Sequence, residues 1–480
     1  MNFTSLNFLL LFPVACIVYY LIPYKWRWGY LLLVSYAFYL SWQPVFGLVL
    51  AGVTLVSFLA GLKIAQNRED IRKAKIWLTA GIVVTLLPLL VFKYYNFIND
   101  SIFEAFSSLG WNIRMPEMKL LMPLGISFFT FMAVGYMVDV YRGKIKSERN
   151  IALYALFISF FPQVTSGPIG RADQLIPQLK NPEPLQLDNV SAGLKMMLWG
   201  YLMKLCLADR LGIYVDAVFS NLEHHNGTTY LLTSFLYTIQ IYGDFAGYSL
   251  IAIGAARIMG IRLMENFKRP YFATSTKDFW RRWHISLSTW MRDYVYIPLG
   301  GSRVKESRHL FNIFATMLVS GLWHGAAWTF VFWGALHGLS QVVQTLWNKN
   351  VTCIRMGKIL KMLLCFLFVN IVWVFFRSPD FTTAFKVVTG IFTSVGRPFI
   401  DIPVFLNGLL TLAIVFIKDL YDEIKENRNS TTTGPASDSE WGGQKIWRRS
   451  VLNIFMIVAT AMYVLLFGVL DGGQFIYFQF

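Results

Sequence analysis

The stretch Phe311–Trp347, FNIFATMLVSGLWHGAAWTFVFWGALHGLSQVVQTLW, decides how this chain is read. Its 37 residues contain no Asp, Glu, Lys or Arg, and its only ionisable side chains are His324 and His337. A run this apolar is long enough for two membrane-spanning helices of ~20 residues each. An ionisable group kept inside hydrocarbon is costly, so it starts as a functional-site hypothesis. The word Gly321-Leu322-Trp323-His324-Gly325 makes His324 the candidate centre of chemistry. A structural reading competes, because a neutral imidazole can satisfy one hydrogen bond between packed helices and two glycines four residues apart suit a close helix contact. A second histidine among aromatics, His284 in Trp280-Arg281-Arg282-Trp283-His284-Ile285-Ser286, favours function.

Working outward, 55% of the 480 residues are hydrophobic and only 15% charged, too little polar surface to cover a soluble globule of this length. The chain reads as a polytopic membrane protein. Apolar runs mark spans at Leu6–Ile22, Gly29–Trp42, Val45–Leu62, Ile76–Phe92 and Leu120–Tyr141. Further runs lie at Ile151–Val164, Gly193–Leu207, Tyr230–Ile258, Phe311–Trp347, Ile359–Phe376, Ile402–Ile417 and Val451–Val469. Basic residues follow the first span (Lys25, Arg27), the third (Lys63, Arg68, Arg72, Lys73, Lys75) and the fifth (Arg142, Lys144, Lys146, Arg149), while the alternate connections are poor in base. The positive-inside bias then puts the N-terminus outside and these loops in the cytoplasm. Topology accounts for much of the net charge of +16, so nucleic-acid binding is not needed to explain it. The first 24 residues lack a basic n-region and a small-x-small cleavage site, which reads as a retained span.

Cys16, Cys206, Cys353 and Cys365 are scattered without a CxxC spacing and suggest neither a disulfide framework nor a thiolate cage. His224 and His225 sit in a polar loop without a third ligand at helical spacing, so no metal site is assigned. The chain is read as one domain, 1–480. Residues 1–119 form N-terminal spans, 120–347 a motif-bearing core, and 348–480 C-terminal spans interrupted by a flexible connection at 419–449.

Between Ser275 and Ile297, Phe279, Trp283, Leu287, Trp290 and Tyr294 recur at three- and four-residue steps, which predicts a helix. Ser275 with Asp278 gives its cap and Pro298-Leu299-Gly300-Gly301 its end. Arg281, Ile285, Ser288 and Arg292 define another face, and such a helix lies in the interface or lines a cavity mouth. Arg281, Arg282 and Arg292 suit either the phosphate oxygens of a donor or lipid headgroups. Asp139 is read as pairing with Arg142, and Asp244 as a packing or capping group. If the helix through His324 is continuous, His337 lies about 20 Å further along it on roughly the opposite face and is read as structural.

Several ordered motifs carry a family resemblance. They are Met122-Pro123-Leu124-Gly125-Ile126-Ser127-Phe128-Phe129, Asp139-Val140-Tyr141-Arg142-Gly143, Ser166-Gly167-Pro168-Ile169, Tyr242-Gly243-Asp244-Phe245-Ala246-Gly247-Tyr248-Ser249 and Asn266-Phe267-Lys268-Arg269-Pro270-Tyr271. Phe279–Gly301, Gly321–Gly325, Trp373-Val374-Phe375-Phe376-Arg377 and Phe475-Ile476-Tyr477-Phe478 continue the series. Together they resemble the membrane-bound O-acyltransferase (MBOAT) superfamily, in its bacterial branch of alginate and cell-wall polysaccharide O-acetyltransferases. The resemblance implies an all-α protein of about 11–13 transmembrane helices, arranged as a ring around a central pore with interfacial or re-entrant helices. His324 matches the family's catalytic histidine and His284 its second polar position.

The resemblance also implies transfer of an acetyl group from a cytoplasmic donor toward an exported polysaccharide. Acetyl-CoA is expected as a substrate, not as a permanently bound cofactor, and a carrier-protein thioester is not separated from it by the motifs. The chain has no GxSxG elbow, which favours an extracytoplasmic acetyltransferase partner alongside polysaccharide export machinery. The place implied is the bacterial cytoplasmic membrane. Desolvation disfavours imidazolium, so a buried His324 can accept the proton of an attacking hydroxyl as general base, or be acylated directly. His284 and the indoles of Trp280, Trp283 and Trp323 are candidate donors to charge developing on the thioester carbonyl. Two alternatives stay open: D-alanyl transfer to teichoic acid from a carrier-protein thioester, and a proton-coupled carrier that moves an acyl group without catalysis.

Overall fold

A computed structural model describes residues 2–111, 114–118, 121–350, 356–432, 451–469 and Ile476. Among the described residues the structure is helical, with no β-strand. In hydrocarbon a chain must satisfy its backbone groups within the segment, and an uninterrupted helix does so. Phe46–Gln66, Ile71–Ser107, Lys358–Arg377 and Ile402–Arg428 are long and apolar enough to cross a membrane, and Leu6–Leu21, Ile126–Tyr141, Phe381–Thr393 and Ile454–Phe467 are shorter apolar helices. Polar side chains on these elements largely turn back to their own helix. Thr54 and Ser57 donate to the carbonyls of Leu50 and Val53, four residues earlier, at 2.7 and 2.6 Å.

Ile126–Tyr141, which carries motif residues at both ends, is buried along almost its whole length, which lets it hold polar groups. Gly227–Ile258 is buried along most of its length. It begins at Asn226, whose side chain accepts from the Thr229 amide, and packs along Leu187–Tyr201.

Four expectations need correction. The helix expected over Ser275–Ile297 begins at the Ser275 cap, but breaks into Thr276–Arg282, Ile285–Met291 and a π-turn at Arg292–Tyr296. The Ile151–Val164 run is likewise two pieces, Ile151–Ser159 and Phe161–Val164. The helix Ile402–Thr432 continues through the first part of the expected flexible connection, because Glu423 and Glu426 are drawn into ion pairs with Lys268, Arg269 and Arg282. The rest of that connection lies outside the described residues, as do Cys353 and most of the Phe475–Phe478 motif.

The deciding stretch forms a hairpin of Glu306–His324 and Trp328–Asn350, so the premise of one continuous helix through His337 fails. The tight contact lies across the hairpin: Gly321 and Gly325 both pack against Phe330, as their four-residue spacing suggests, and Gly321 also meets Gly334. A Cβ on Gly334 would sit 3.0 Å from the Gly321 Cα and 2.5 Å from the Met317 carbonyl oxygen. Gly334→Leu is therefore expected to cost about 1–3 kcal/mol through overpacking and to lower the unfolding midpoint in detergent. An unchanged midpoint would show that the two helices do not meet there.

Candidate active site

His324 is the last residue of the Glu306–His324 helix. A helix end leaves four carbonyls without intrahelical partners, a heavy cost away from water. Here the protein supplies foreign donors. The Tyr94 hydroxyl donates to the Leu322 carbonyl at 2.7 Å, and Lys93 Nζ donates to the carbonyls of Trp323 and His324 at 2.7 and 2.9 Å. Both residues lie on a π-turn, Leu90–Tyr94, that interrupts the helix begun at Ile71. Such bulges re-aim side chains and are frequent at functional sites, and a cation at a helix C-terminus also complements its dipole. A further carbonyl contact, one residue before the open end, belongs to the ring itself: His324 Nδ1 lies 2.6 Å from the Ser320 carbonyl oxygen. A carbonyl only accepts, so Nδ1 carries the proton, and in the neutral ring Nε2 is the acceptor atom.

His284 occupies the break between Thr276–Arg282 and Ile285–Met291, with φ 43 and ψ 56. Left-handed backbone is unusual for a non-glycine residue and persists where surrounding structure over-determines it. Among the described residues the only other case is Arg269, φ 46, on the segment that holds this break in place. The Ile285 amide donates to the Asn266 carbonyl and the Lys268 amide to the Arg282 carbonyl, each at 2.9 Å. Arg269 and Arg282 both grip Glu423, at 3.0 and 2.9 Å. Burial lowers the proton affinity of Arg282, but the Glu423 and Asp278 carboxylates more than offset it and hold its pKa above the ordinary value.

Asn266 then fixes the imidazole. Its Oδ1 lies 3.2 Å from the Ser286 amide, 3.0 Å from Ser286 Oγ and 3.0 Å from His284 Nδ1, while its Nδ2 donates to Ser249 Oγ at 3.1 Å. The Ser286 amide can only donate, which identifies the facing amide atom as oxygen. His284 Nδ1 is therefore protonated and its Nε2 is the acceptor.

The two rings meet with centroids 6.4 Å apart and planes at 78°. Trp323 lies against both, at 5.9 Å from His284 and 4.9 Å from His324, and Phe128, Phe245, Trp333 and Phe376 complete the aromatic surround. Both histidines are buried, at 0% and 2% exposure. The site thus holds two imidazoles of the same tautomer, each offering Nε2 as a proton acceptor. His284 consequently suits acceptance and not the donor role expected for it.

The other expected residues separate. Trp280 donates its indole N–H to His337 Nδ1 at 3.3 Å. Trp283 is buried against Trp373, Phe267 and Phe279. Arg282 is held by Glu423 and Asp278, Arg292 by Asp293 at 2.8 Å, and Arg281 is exposed. Asp293 also pairs with Arg171, at 3.0 Å. Asp139 accepts from the Tyr294 hydroxyl at 2.8 Å and lies 3.5 Å from Lys144, while Asp244 lies 2.5 Å from Lys204. Sequence reasoning missed Lys93, Tyr94, Trp333 and the role of Asn266. Lys93 carried a signal, a lone cation at the end of an apolar run, but the span was closed one residue too early. Among the described residues no group of three or more His, Cys, Asp or Glu side chains is placed to hold a metal ion.

Residues 110–378 match the family described as MBOAT, membrane-bound O-acyltransferase. Over 491 residues, and the whole length of both chains, the sequence is 35% identical to a probable alginate O-acetylase of Pseudomonas putida. It is 40% identical to that of Pseudomonas aeruginosa over 82% of this chain and 75% of the relative. A peptidoglycan O-acetyltransferase of Helicobacter pylori is 35% identical over 77% of this chain and 74% of its own, and a teichoic acid D-alanyltransferase of Bacillus subtilis is 28% identical over 63% and 78%.

If Lys93 secures the helix end beneath His324, Lys93→Met is expected to destabilise the protein by about 1.5–3 kcal/mol, the scale of a charge-assisted hydrogen bond lost from a buried acceptor. Lys93→Arg, which keeps a cationic donor, should recover part of the loss in the same thermal unfolding assay. A Lys93→Met protein with wild-type stability would rule out the clasp.

Proposed function

Because the chain belongs to the membrane-bound O-acyltransferase family, we propose that it carries acetyl groups from cytoplasmic acetyl-CoA across a bacterial cytoplasmic membrane to hydroxyls of an exported polysaccharide, with His324 as the general base. It is an acyltransferase with membrane-spanning helices. The observation that carries the mechanism is the Ser320 carbonyl against His324 Nδ1, which leaves Nε2 to take a proton.

The reaction balances without a resident cofactor. His324 Nε2 takes the hydroxyl proton as the hydroxyl oxygen bonds to the thioester carbonyl carbon. The carbonyl electron pair moves to oxygen, where the Trp323 indole supplies the nearest donor among the indoles expected from the sequence. Collapse breaks the C–S bond, and the imidazolium returns its proton to the departing sulfur. His284, of the same tautomer, offers a second acceptor that can hold the hydroxyl until the thioester arrives. Arg281, exposed at the protein surface, is available to the phosphates of the donor, and Arg292 reaches them from its pair with Asp293.

Acetyl is favoured over D-alanyl transfer because the relatives at 35–40% identity are named O-acetylases or an O-acetyltransferase, whereas the D-alanyltransferase is 28% identical. The final acceptor is reached through an extracytoplasmic transferase working beside the export machinery, and the N-terminus faces that side. A well-placed base contributes about 10²–10⁴-fold. Transfer from radiolabelled acetyl-CoA by purified His324→Ala should fall by that factor relative to wild type, and equal turnover would refute the assignment.

A further inference from the structure

His337 and Trp333 are fully buried, at 0% exposure, and neither is used by the reaction as drawn. His337 is the opposite tautomer to His324 and His284. Its Nδ1 accepts from the Trp280 indole, so its neutral ring carries the proton on Nε2. That Nε2–H and the Trp333 Nε1–H have no hydrogen-bond acceptor among the described residues. A buried donor without an acceptor is costly and calls for a physical explanation.

The two donors adjoin the reaction centre in sequence. The Trp333 ring lies 4.9 Å from His324 on one side and 4.8 Å from His337 on the other. Around them the walls are apolar: Phe279 stacks parallel to His337 at 6.1 Å, and Phe368 meets it edge-on at 5.6 Å. The matching ligand is slender, largely apolar and rich in acceptors. A sugar fits poorly, because each hydroxyl that accepts from these donors brings a proton of its own, for which the aromatic neighbours supply no acceptor. An arm of methylenes and amide carbonyls does.

We propose that Trp333 and His337 form a binding subsite for the amide carbonyl oxygens of the pantetheine arm of the acyl donor. This rests on the acyl-transfer reading above. The arm is common to acetyl-CoA and to acetylated carrier proteins, and the subsite recognises that shared chemistry.

The test compares acetyl-CoA with S-acetyl-2-mercaptoethanol, which carries the same thioester and no amide, using full-length protein in detergent. Trp333→Phe removes the N–H and keeps a ring. It should raise KM for acetyl-CoA about 5- to 10-fold, the scale of one hydrogen bond, with kcat within twofold and with the amide-free donor affected less than twofold. An equal change with both donors, or none with either, overturns the subsite. His337→Leu should behave like Trp333→Phe, whereas His337→Gln, which keeps both a donor and an acceptor, should retain affinity; this pair decides the matter if Trp333→Phe does not fold. Acetylated carrier protein assayed in parallel separates the two sources, since a variant effect confined to it names the carrier protein as the donor. Equilibrium binding of S-acetonyl-CoA, an unreactive thioether, reads the subsite without turnover. Tight binding that the variants weaken, in a protein that transfers nothing, would leave the subsite standing and discard the acyl-transfer reading.

Discussion

A helix cannot simply stop inside hydrocarbon, because its last carbonyls have no water to turn to. The Glu306–His324 helix ends among buried side chains, likewise away from water, and the rest of the site depends on how that end is satisfied. Lys93 and Tyr94 reach in from a π-turn and take the carbonyls of Leu322, Trp323 and His324, while the imidazole takes that of Ser320. One set of contacts solves two problems. It allows the chain to reverse after Gly325, and it commits one ring nitrogen to donation so that the other is left to accept.

The opposing wall obeys the same logic with different parts. His284 sits in left-handed backbone at a helix break, held by two backbone hydrogen bonds from the Asn266–Lys268 segment and by arginines gripping Glu423 on a distant helix. Asn266 sets its tautomer. Preorganisation of this kind lets a site accept a proton without reorganising during the reaction. His337, fixed by Trp280 in the other tautomer, shows that the donor or acceptor character of each imidazole here follows from its hydrogen-bond partner, not from its residue type.

Local sequence made much of this legible. Charge-free length located the hairpin, although its two helices are not among those long and apolar enough to cross a membrane, and an ionisable group within it singled out His324. Helix periodicity located the Ser275–Ile297 region and its cap. It could not show the break at His284, because Phe279, Trp283 and Leu287 keep their spacing through it and the contacts that force it come from Asn266 and Glu423, remote in sequence. Lys93 was hidden for the same reason, since its partners lie some 230 residues away. The arginines were misread in emphasis: nothing near Arg282 in sequence announces Glu423. Proximity of His337 to His324 through Trp333 depended on a reversal at Gly325–Ala327, which composition alone does not mark.

His324 presents Nε2 as a proton acceptor because Nδ1 is committed to the Ser320 carbonyl. Solid-state ¹⁵N NMR of the protein labelled at histidine nitrogens, with His324 assigned by difference against His324→Gln, reads this directly. The expected spectrum shows His324 as a neutral ring with its proton on Nδ1 and an unprotonated Nε2. A resonance pattern with the proton on Nε2 would overturn this assignment, because that atom would then be a donor unable to begin the reaction.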